Sequence, residues 1–258
     1  MGRLRLFLLL IFSLVNMEQG TAAHNENLIS DYPFLASLRL NGMHVCAACI
    51  LGAEWLVTAA HCVEGQLNEW VTAQVGSASQ SSDVEQVYHA SYILIHPRYS
   101  PLNMDCNIAL IKVSEVMNLG PEVAPVVLSS SPLPDGTSLT ALGWTSDSSI
   151  AEELEVKAVD DAECNKQYRR FGGITSRMLC LGKSATGDSL CNSGGGGPLL
   201  VNSSLVGLVS HGQGCGDPDV PTVATKMVPF ISWIESSTGI LNDYTLAAIS
   251  LPVNHLLR

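Results

Sequence analysis

Two short stretches of the chain carry residue types suited to catalysis. The first, CNSGGGGP at residues 191–198, places four consecutive glycines ahead of a proline. Glycine adopts positive φ freely, so such a loop can present a nucleophile or a backbone amide that binds an oxyanion. The second, LVTAAHC at residues 56–62, contains an imidazole, His61, that can accept a proton. The centre of the glycine-rich loop, however, carries no reactive side chain.

The segments that must position these residues are typical of β-strands. They are rich in β-branched and aromatic residues, several alternate apolar with polar residues, and turn residues separate them. Many short strands with few helical stretches predict an all-β barrel or sandwich. Helices are expected at residues 160–170 and 228–239. The predicted strands are residues 34–40, 70–76, 84–96, 107–113 and 205–212.

The first residues have the composition of a secretory signal peptide. Arg3 and Arg5 precede the apolar run LFLLLIFSLV, and small residues follow it. This run is too short to span a bilayer of about 30 Å as a helix. We therefore predict a signal peptide at residues 1–22 and an extracellular location for the rest of the chain. Residues 240–258 are expected to form a loose C-terminal tail.

Composition excludes several classes of partner and cofactor. The net charge of −11 disfavours nucleic acid, heparin-like polyanions and anionic membranes, so neither nucleic acid nor membrane is expected as a partner. Eight cysteines in a secreted chain favour disulfide bonds, and the isolated CAAC at residues 46–49 lacks the paired spacing of a zinc site. No metal or cofactor is therefore expected. Asn202, in the sequence NSS, is a candidate glycosylation site.

A set of motifs occurs in a characteristic order along most of the chain. They are HVCAAC, LVTAAHC, MDCNIALIKV, ALGWT, CNSGGGGPLL, VSHGQGCGDPDVPTVATKM and ISWI. Together they closely resemble the trypsin/chymotrypsin family of secreted serine proteases, over residues 28–239. The resemblance implies two six-stranded antiparallel β-barrels packed side by side, with the active site in the crevice between them. The barrels are expected near residues 28–125 and 126–226, followed by a helix over about 228–238.

The resemblance also implies a disulfide pattern. The implied bonds are Cys46–Cys62, Cys164–Cys180 and Cys191–Cys215. Each such bond stabilises a fold by a few kcal/mol. Cys49 and Cys106 stand outside this pattern, so they either pair with each other or remain buried thiols that behave as small apolar residues. We favour buried thiols.

By the same resemblance, His61 is the base, Asn107 stands at the position of the acid and Gly195 at that of the nucleophile. The family's chemistry needs a hydroxyl that attacks, an imidazole that takes its proton and a carboxylate that orients the imidazole. An amide at position 107 favours the wrong imidazole tautomer, and a glycine at position 195 has no atom with which to attack. Asp105 lies two residues earlier, about 6.6 Å away along an extended strand, too far for a tight hydrogen bond without rearrangement.

The resemblance assigns the oxyanion hole to the backbone amides of Ser193 and Gly195, so the hydroxyl of Ser193 is not expected to face the base.

Two other features of active relatives are missing. In active members, an aspartate before the nucleophile pairs with a new N-terminus created by cleavage after a basic residue. Gly194 replaces that aspartate, and no lysine or arginine occurs from residue 6 to residue 38. The activation step is therefore expected to be lost.

The segments that line the family's substrate pocket also depart from its pattern. The corresponding residues are Ser189, Ser210, His211, Gly212 and Thr222. His211 replaces the usual tryptophan, and Thr222 places a β-branched side chain where glycine normally leaves the pocket open. Tolerated repacking and real occlusion are both consistent with these changes. In either case, a large basic or aromatic side chain of a substrate has no obvious binding site.

These observations predict a secreted, catalytically inactive serine protease homologue. We expect it to bind a protein or peptide non-covalently, such as an active protease or a protease inhibitor. His61 is then a partly exposed imidazole without its catalytic partners. One alternative is a weak or cryptic serine endopeptidase, which would use Ser193 or be hidden by a sequence error in the glycine-rich loop. Another is a structural or storage component of a secretion.

Overall fold

The computed structural model describes residues 28–80, 86–145, 148–182, 195–212 and 220–240. The predicted signal peptide at 1–22, residues 241–258 of the predicted tail, and the predicted site residues Ser189 and Ser193 lie outside these ranges. So does the implied disulfide Cys191–Cys215. Among the described residues, no helix has the length and apolar character needed to cross a bilayer.

The first barrel is closed and contains six strands in the order β1-β2-β3-β6-β5-β4. A short helix, α1 (Leu28–Asp31), precedes it. All of its strand pairings are antiparallel. Alternating side chains fill the interior, as in β5, where Tyr88 and Ala90 are buried between exposed neighbours. The strands are β1 (Leu35–Leu40), β2 (Met43–Gly52), β3 (Trp55–Thr58), β4 (Val71–Val75), β5 (Val87–Ile95) and β6 (Ala109–Val113).

The second barrel follows along the chain and also closes with six antiparallel strands. Their order is β11-β8-β9-β10-β13-β12, and pairing between β11 and β12 closes the barrel. The short strand β7 adds to β12 in parallel. On β9, Leu154, Val156 and Ala158 alternate inward. The strands are β7 (Val127–Leu128), β8 (Ser138–Gly143), β9 (Glu152–Val159), β10 (Met178–Leu181), β11 (Pro198–Val201), β12 (Ser204–Gly212) and β13 (Thr222–Lys226).

Two further helices accompany the second barrel. Helix α2 (Asp161–Tyr168) begins after Asp160, whose side chain accepts a hydrogen bond from the Glu163 backbone N–H. Helix α3 (Ile231–Thr238) follows a 3₁₀ turn at Val228–Phe230 and ends at Gly239, which has a φ of +73°. The predicted fold class, two six-stranded antiparallel barrels with a C-terminal helix, is confirmed.

Two of the implied disulfides lie within the described residues, and both are formed. Cys46–Cys62 joins β2 to the turn that carries His61, and Cys164–Cys180 joins α2 to β10. Cys49 and Cys106 are free and buried, which is the alternative that we favoured. Burial raises the pKa of the Cys49 thiol, so this side chain is a neutral, small apolar group in the core of the first barrel.

Candidate active-site cleft

His61 lies on a 3₁₀ turn, Ala60–Cys62, that follows β3. Strand β3 pairs with β6, and Asn107 stands just before β6, so the sheet register brings the two residues together. The backbone N–H of His61 donates to Oδ1 of Asn107 at 3.0 Å. The turn is also tied to β2 by the disulfide Cys46–Cys62. Hydrogen bonding and covalent linkage thus fix the position of His61.

The side-chain amide of Asn107 is fully buried, and its partners determine its orientation. Its Oδ1 accepts the His61 backbone N–H, a group that can only donate. Its Nδ2 donates to Oγ of Ser210 at 2.6 Å and lies 2.9 Å from Nδ1 of His61, closer than Oδ1 at 3.3 Å. Because an amide N–H points at Nδ1, that nitrogen accepts, and the imidazole carries its proton on Nε2.

This tautomer is the opposite of the one that a serine protease base requires. A general base must have a free Nε2 to accept the proton of the attacking hydroxyl, with its own proton on Nδ1. Burial lowers the pKa of His61, and the amide N–H directed at Nδ1 also favours the neutral ring, whereas the charge of Glu64 partly opposes these effects. The imidazole is therefore neutral near pH 7, and its Nε2 is a donor.

Gly195 adjoins His61, as expected for the nucleophile position. A Cβ built on Gly195 would lie 2.8 Å from Nε2 of His61 and 3.1 Å from Sγ of Cys46. The imidazole thus occupies the space that a side chain at position 195 would need. The carbonyl oxygen of Gly195 accepts the Ala47 N–H at 2.8 Å, which holds this end of the glycine-rich loop against β2.

Asp105 forms its own ion pair and does not serve His61. Its Oδ1 accepts hydrogen bonds from Nε of Arg177 at 3.0 Å and from Oγ1 of Thr175 at 2.8 Å. A second contact joins Nη2 of Arg177 to Oδ2. Burial of Asp105 favours its neutral form, but the bonds from Arg177 and Thr175 outweigh burial and lower the pKa of the carboxyl. The carboxylate cannot replace the missing acid without breaking this arrangement.

The wall of the cleft contains a second histidine. His211 lies at the end of β12, with Nδ1 3.0 Å from Oγ of Ser210 and its ring edge-on to Tyr168 at a centroid distance of 5.6 Å. Burial, assisted by the neighbouring His61, lowers the pKa of His211 to about 4. Two neutral imidazoles therefore line the cleft at physiological pH.

A cavity of about 300 Å³ brings several of the predicted site residues together. His61, Gly195, Ser210 and His211 line it. Gly212 and Thr222 instead face each other across strands β12 and β13. Sequence reasoning missed some of the other lining residues because their side chains signal no chemistry. Those residues include Leu40, Val45 and Gln66.

The cleft also contains a cluster with metal-ligand atom types. Sγ of Cys46, Sγ of Cys62 and a ring nitrogen of His61 lie within 4.8 Å of one another. The two sulfur atoms are bonded to each other, so neither is available as the thiolate that metal binding requires. The geometry fits a disulfide packed against an imidazole rather than a metal centre.

Comparisons with known proteins agree with this architecture. The sequence model of the family described as Trypsin matches residues 21–234. Trypsin-2 of Salmo salar is 34% identical over 229 residues, covering 84% of this chain and 97% of the salmon protein. Trypsin 5G1 of Aedes aegypti is 32% identical over 222 residues, covering 82% of each chain.

A solved structure extends the similarity to three dimensions. Neuropsin, a serine protease expressed in the limbic system of mouse brain, matches with a TM-score of 0.74 at 29% identity. The match covers 82% of this chain and 97% of the neuropsin chain. With its two barrels, its disulfides and the His61 turn beside Asn107, this chain belongs to the trypsin family of serine proteases.

Proposed function

We propose that this chain is a secreted member of the trypsin family that has lost peptide hydrolysis and acts by non-covalent binding of a protein or peptide. The observation that carries the proposal is the contact between Gly195 and His61. The residue beside the imidazole has no hydroxyl, and the imidazole lies where a side chain would be. No nucleophile can be activated at this position, because none is present.

The environment of His61 supports the same conclusion independently of Gly195. The amide of Asn107 directs an N–H at Nδ1, which stabilises the tautomer that cannot accept a proton at Nε2. An amide also lacks the negative charge that would stabilise a protonated imidazole. The base position and the nucleophile position are therefore both unsuited to acyl transfer.

The remaining cleft is suited to binding a neutral ligand surface. Its cavity of about 300 Å³ is lined by Leu40, Val45 and Gln66 together with two neutral histidines. The exposed lining of this cavity is more polar than apolar, so it suits a neutral ligand surface that carries hydrogen-bonding groups. We propose an active protease or a protease inhibitor as the class of partner.

The surface features agree with an extracellular protein. Asn202 is exposed in the tight turn between β11 and β12, with a φ of +49°, and is accessible to glycosylation. Two disulfides stabilise the described residues, as is typical of secreted proteins. Together with the basic and apolar N-terminal sequence, they support our proposal that the chain is secreted and glycosylated.

The test of this function is complex formation without cleavage. The purified secreted protein would be mixed separately with an activated trypsin-like protease and with a protein inhibitor of trypsin-like proteases. We expect a stable stoichiometric complex with one of them by size-exclusion chromatography with light scattering. Mass spectrometry should recover both components intact.

The contrary result is hydrolysis of a mixed peptide substrate pool. Hydrolysis by the wild-type chain that disappears in a Ser193→Ala variant would establish the alternative, a cryptic endopeptidase. Hydrolysis that persists in this variant and disappears in a His61→Ala variant would equally contradict the proposal. A failure to form either complex, with peptides left intact, would exclude the proposed partner classes while leaving the loss of hydrolysis in place.

A further inference from the structure

A basic and aromatic surface lies at the C-terminal end of α2, outside the cavity beside His61. This surface, here called the α2 patch, encloses a cavity of about 430 Å³. Its lining residues are Lys166, Gln167, Arg170, Phe171 and Val220. The chain has only 13 lysines and arginines and a net charge of −11. Among the residues that the structure describes, the α2 patch is therefore a local concentration of positive charge on an acidic molecule.

The acidic residues within α2 already have partners. Asp161 accepts a hydrogen bond from Nζ of Lys226 at 3.2 Å. Glu163 forms an exposed ion pair with Lys166. These contacts satisfy the carboxylates at the beginning of the helix. The positive charge that these pairs do not use lies on the arginines that follow the helix.

Arg169 and Arg170 follow α2 in a short 3₁₀ turn, and both are exposed. Within the described part of the chain, no carboxylate lies within ion-pair distance of either guanidinium. A guanidinium presents several donors in a planar fork that matches a carboxylate. The turn thus offers two such groups to an external acid.

Phe171 exposes 49% of its surface, although the backbone that carries it is tightly held. The next residue, Gly172, has a φ of +94°, and a Cβ there would lie 2.5 Å from Cβ of Asn103. Oδ1 of Asn165 accepts the Ile174 N–H at 2.9 Å. An exposed aromatic ring on a fixed backbone loses little conformational entropy on binding, which is a property of interface anchors.

The α2 patch adjoins the cleft through one side chain. Tyr168, in α2, packs edge-on against His211 and donates its hydroxyl to the Pro221 carbonyl oxygen at 2.6 Å. Pro221 directly follows Val220 of the patch. A segment that leaves the cleft beside His211 therefore has a short route to the patch.

We propose that the α2 patch docks an acidic segment of a protein partner. Arg170 binds a carboxylate of that segment, and a neighbouring apolar side chain packs on Phe171. The net charge of −11 repels a long polyanion, so a short acidic stretch is the occupant that the electrostatics favour. The inference goes beyond the proposed function, because the patch lies outside the cleft and its binding does not depend on whether the cleft hydrolyses peptides.

The test uses two arrays of octapeptides. In the first, every peptide carries two acidic residues and one aromatic residue at varied spacing. In the second, glutamine and asparagine replace the acids. The wild-type protein is compared with the Arg170→Glu and Phe171→Ala variants, and with Arg98→Glu as a control of equal charge change at another exposed arginine. Thermal unfolding checks that each variant remains folded.

We expect the wild-type protein and the Arg98→Glu control to bind a subset of the acidic array. Arg170→Glu should weaken that binding at least about tenfold, as expected when charge-assisted hydrogen bonds are lost. Phe171→Ala should weaken it as well. Equal binding to both arrays, binding to neither, or an equal loss in the Arg98→Glu control would overturn the proposal. Binding of a heparin oligosaccharide at the patch in preference to every peptide would also overturn it.

Discussion

Two neighbours determine what the His61 side chain can do. Asn107 donates an N–H to Nδ1, and Gly195 leaves Nε2 without a hydroxyl partner. The asparagine at position 107 and the glycine at position 195 would each impair acyl transfer, and they lie on opposite sides of the imidazole ring. The imidazole is retained as a packed, neutral group. Under the proposed function, His61 serves as a polar lining residue of the cleft.

Replacing Asn107 by aspartate should raise the pKa of His61. The new carboxylate would accept the Nδ1–H and stabilise the charged imidazolium, opposing the burial that now lowers the pKa. Nuclear magnetic resonance of the imidazole across a pH series measures this directly, with Asn68→Asp on an exposed turn as the control. An unchanged or lower pKa in Asn107→Asp would show that the amide does not govern the ring.

The two glycines at the end of the loop should respond very differently to alanine. A Cβ at Gly195 meets the end of the His61 side chain and Sγ of Cys46, side-chain atoms that can shift slightly, so Gly195→Ala should cost little stability. A Cβ at Gly196 would lie 2.2 Å from the Ala47 carbonyl oxygen, at a φ of +74°. We expect Gly196→Ala to lower the free energy of unfolding by about 3 kcal/mol or more. Urea denaturation of both variants tests this, and equal losses would contradict it.

At the scale of elements, the Asp105–Arg177 ion pair connects the two barrels. Asp105 lies in the loop before β6, and Arg177 lies just before β10. The exposed fractions of the two side chains are only 14% for Asp105 and 25% for Arg177. Partial burial strengthens the pair relative to one at the surface, and it also makes an unpaired charge costly. The pair therefore contributes to the packing of one barrel against the other.

Arg177→Met should lower the free energy of unfolding by about 1–3 kcal/mol at pH 7, because Asp105 is left without its partner. The folded-state pKa of Asp105 is depressed, so the pair stabilises the protein above the ordinary aspartate pKa of 3.8. This contribution is lost as the pH falls through the folded-state value. The difference in the free energy of unfolding between wild type and Arg177→Met should consequently shrink below about pH 4.

Urea unfolding at pH 7 and pH 3 provides the measurement. Lys112→Met is a suitable control, because Lys112 forms a more exposed pair with Glu54 in the first barrel. That control should lose about 1 kcal/mol or less at pH 7. A difference between wild type and Arg177→Met that is the same at both pH values would show that Asp105 does not supply the effect.

At the scale of the whole molecule, the sequence carried enough information to predict the barrels and the two observed disulfides. Alternating apolar residues predicted several strands. The two barrels, the disulfides and the proximity of His61, Asn107 and Gly195 were implied by the resemblance of the ordered motifs to the trypsin/chymotrypsin family. The orientation of the Asn107 amide could not be predicted, because it depends on a backbone donor 46 residues away. The Asp105–Arg177 pair joins residues 72 apart and has no local signal.

The dependence on residues that are distant in the sequence also explains why some residues of the cleft were not predicted. Leu40, Val45 and Gln66 line the cavity, yet none belongs to a residue type that signals chemistry. Their role arises only when the first barrel closes and presents them beside His61. The crowding at Gly195 also depends on residues distant in the sequence. The Ala47 N–H bonds to the Gly195 carbonyl oxygen and holds this residue against β2, and the disulfide Cys46–Cys62 joins β2 to the turn that carries His61.

The central claim is that the chain lacks an activated serine, and labelling with a fluorophosphonate probe tests it most directly. The purified secreted protein would be compared with an activated trypsin-like protease and with a Ser193→Ala variant. We predict labelling of the active protease alone, because the probe reacts only with an activated serine. Labelling of the wild-type chain that disappears in the Ser193→Ala variant would contradict the claim and establish Ser193 as a working nucleophile.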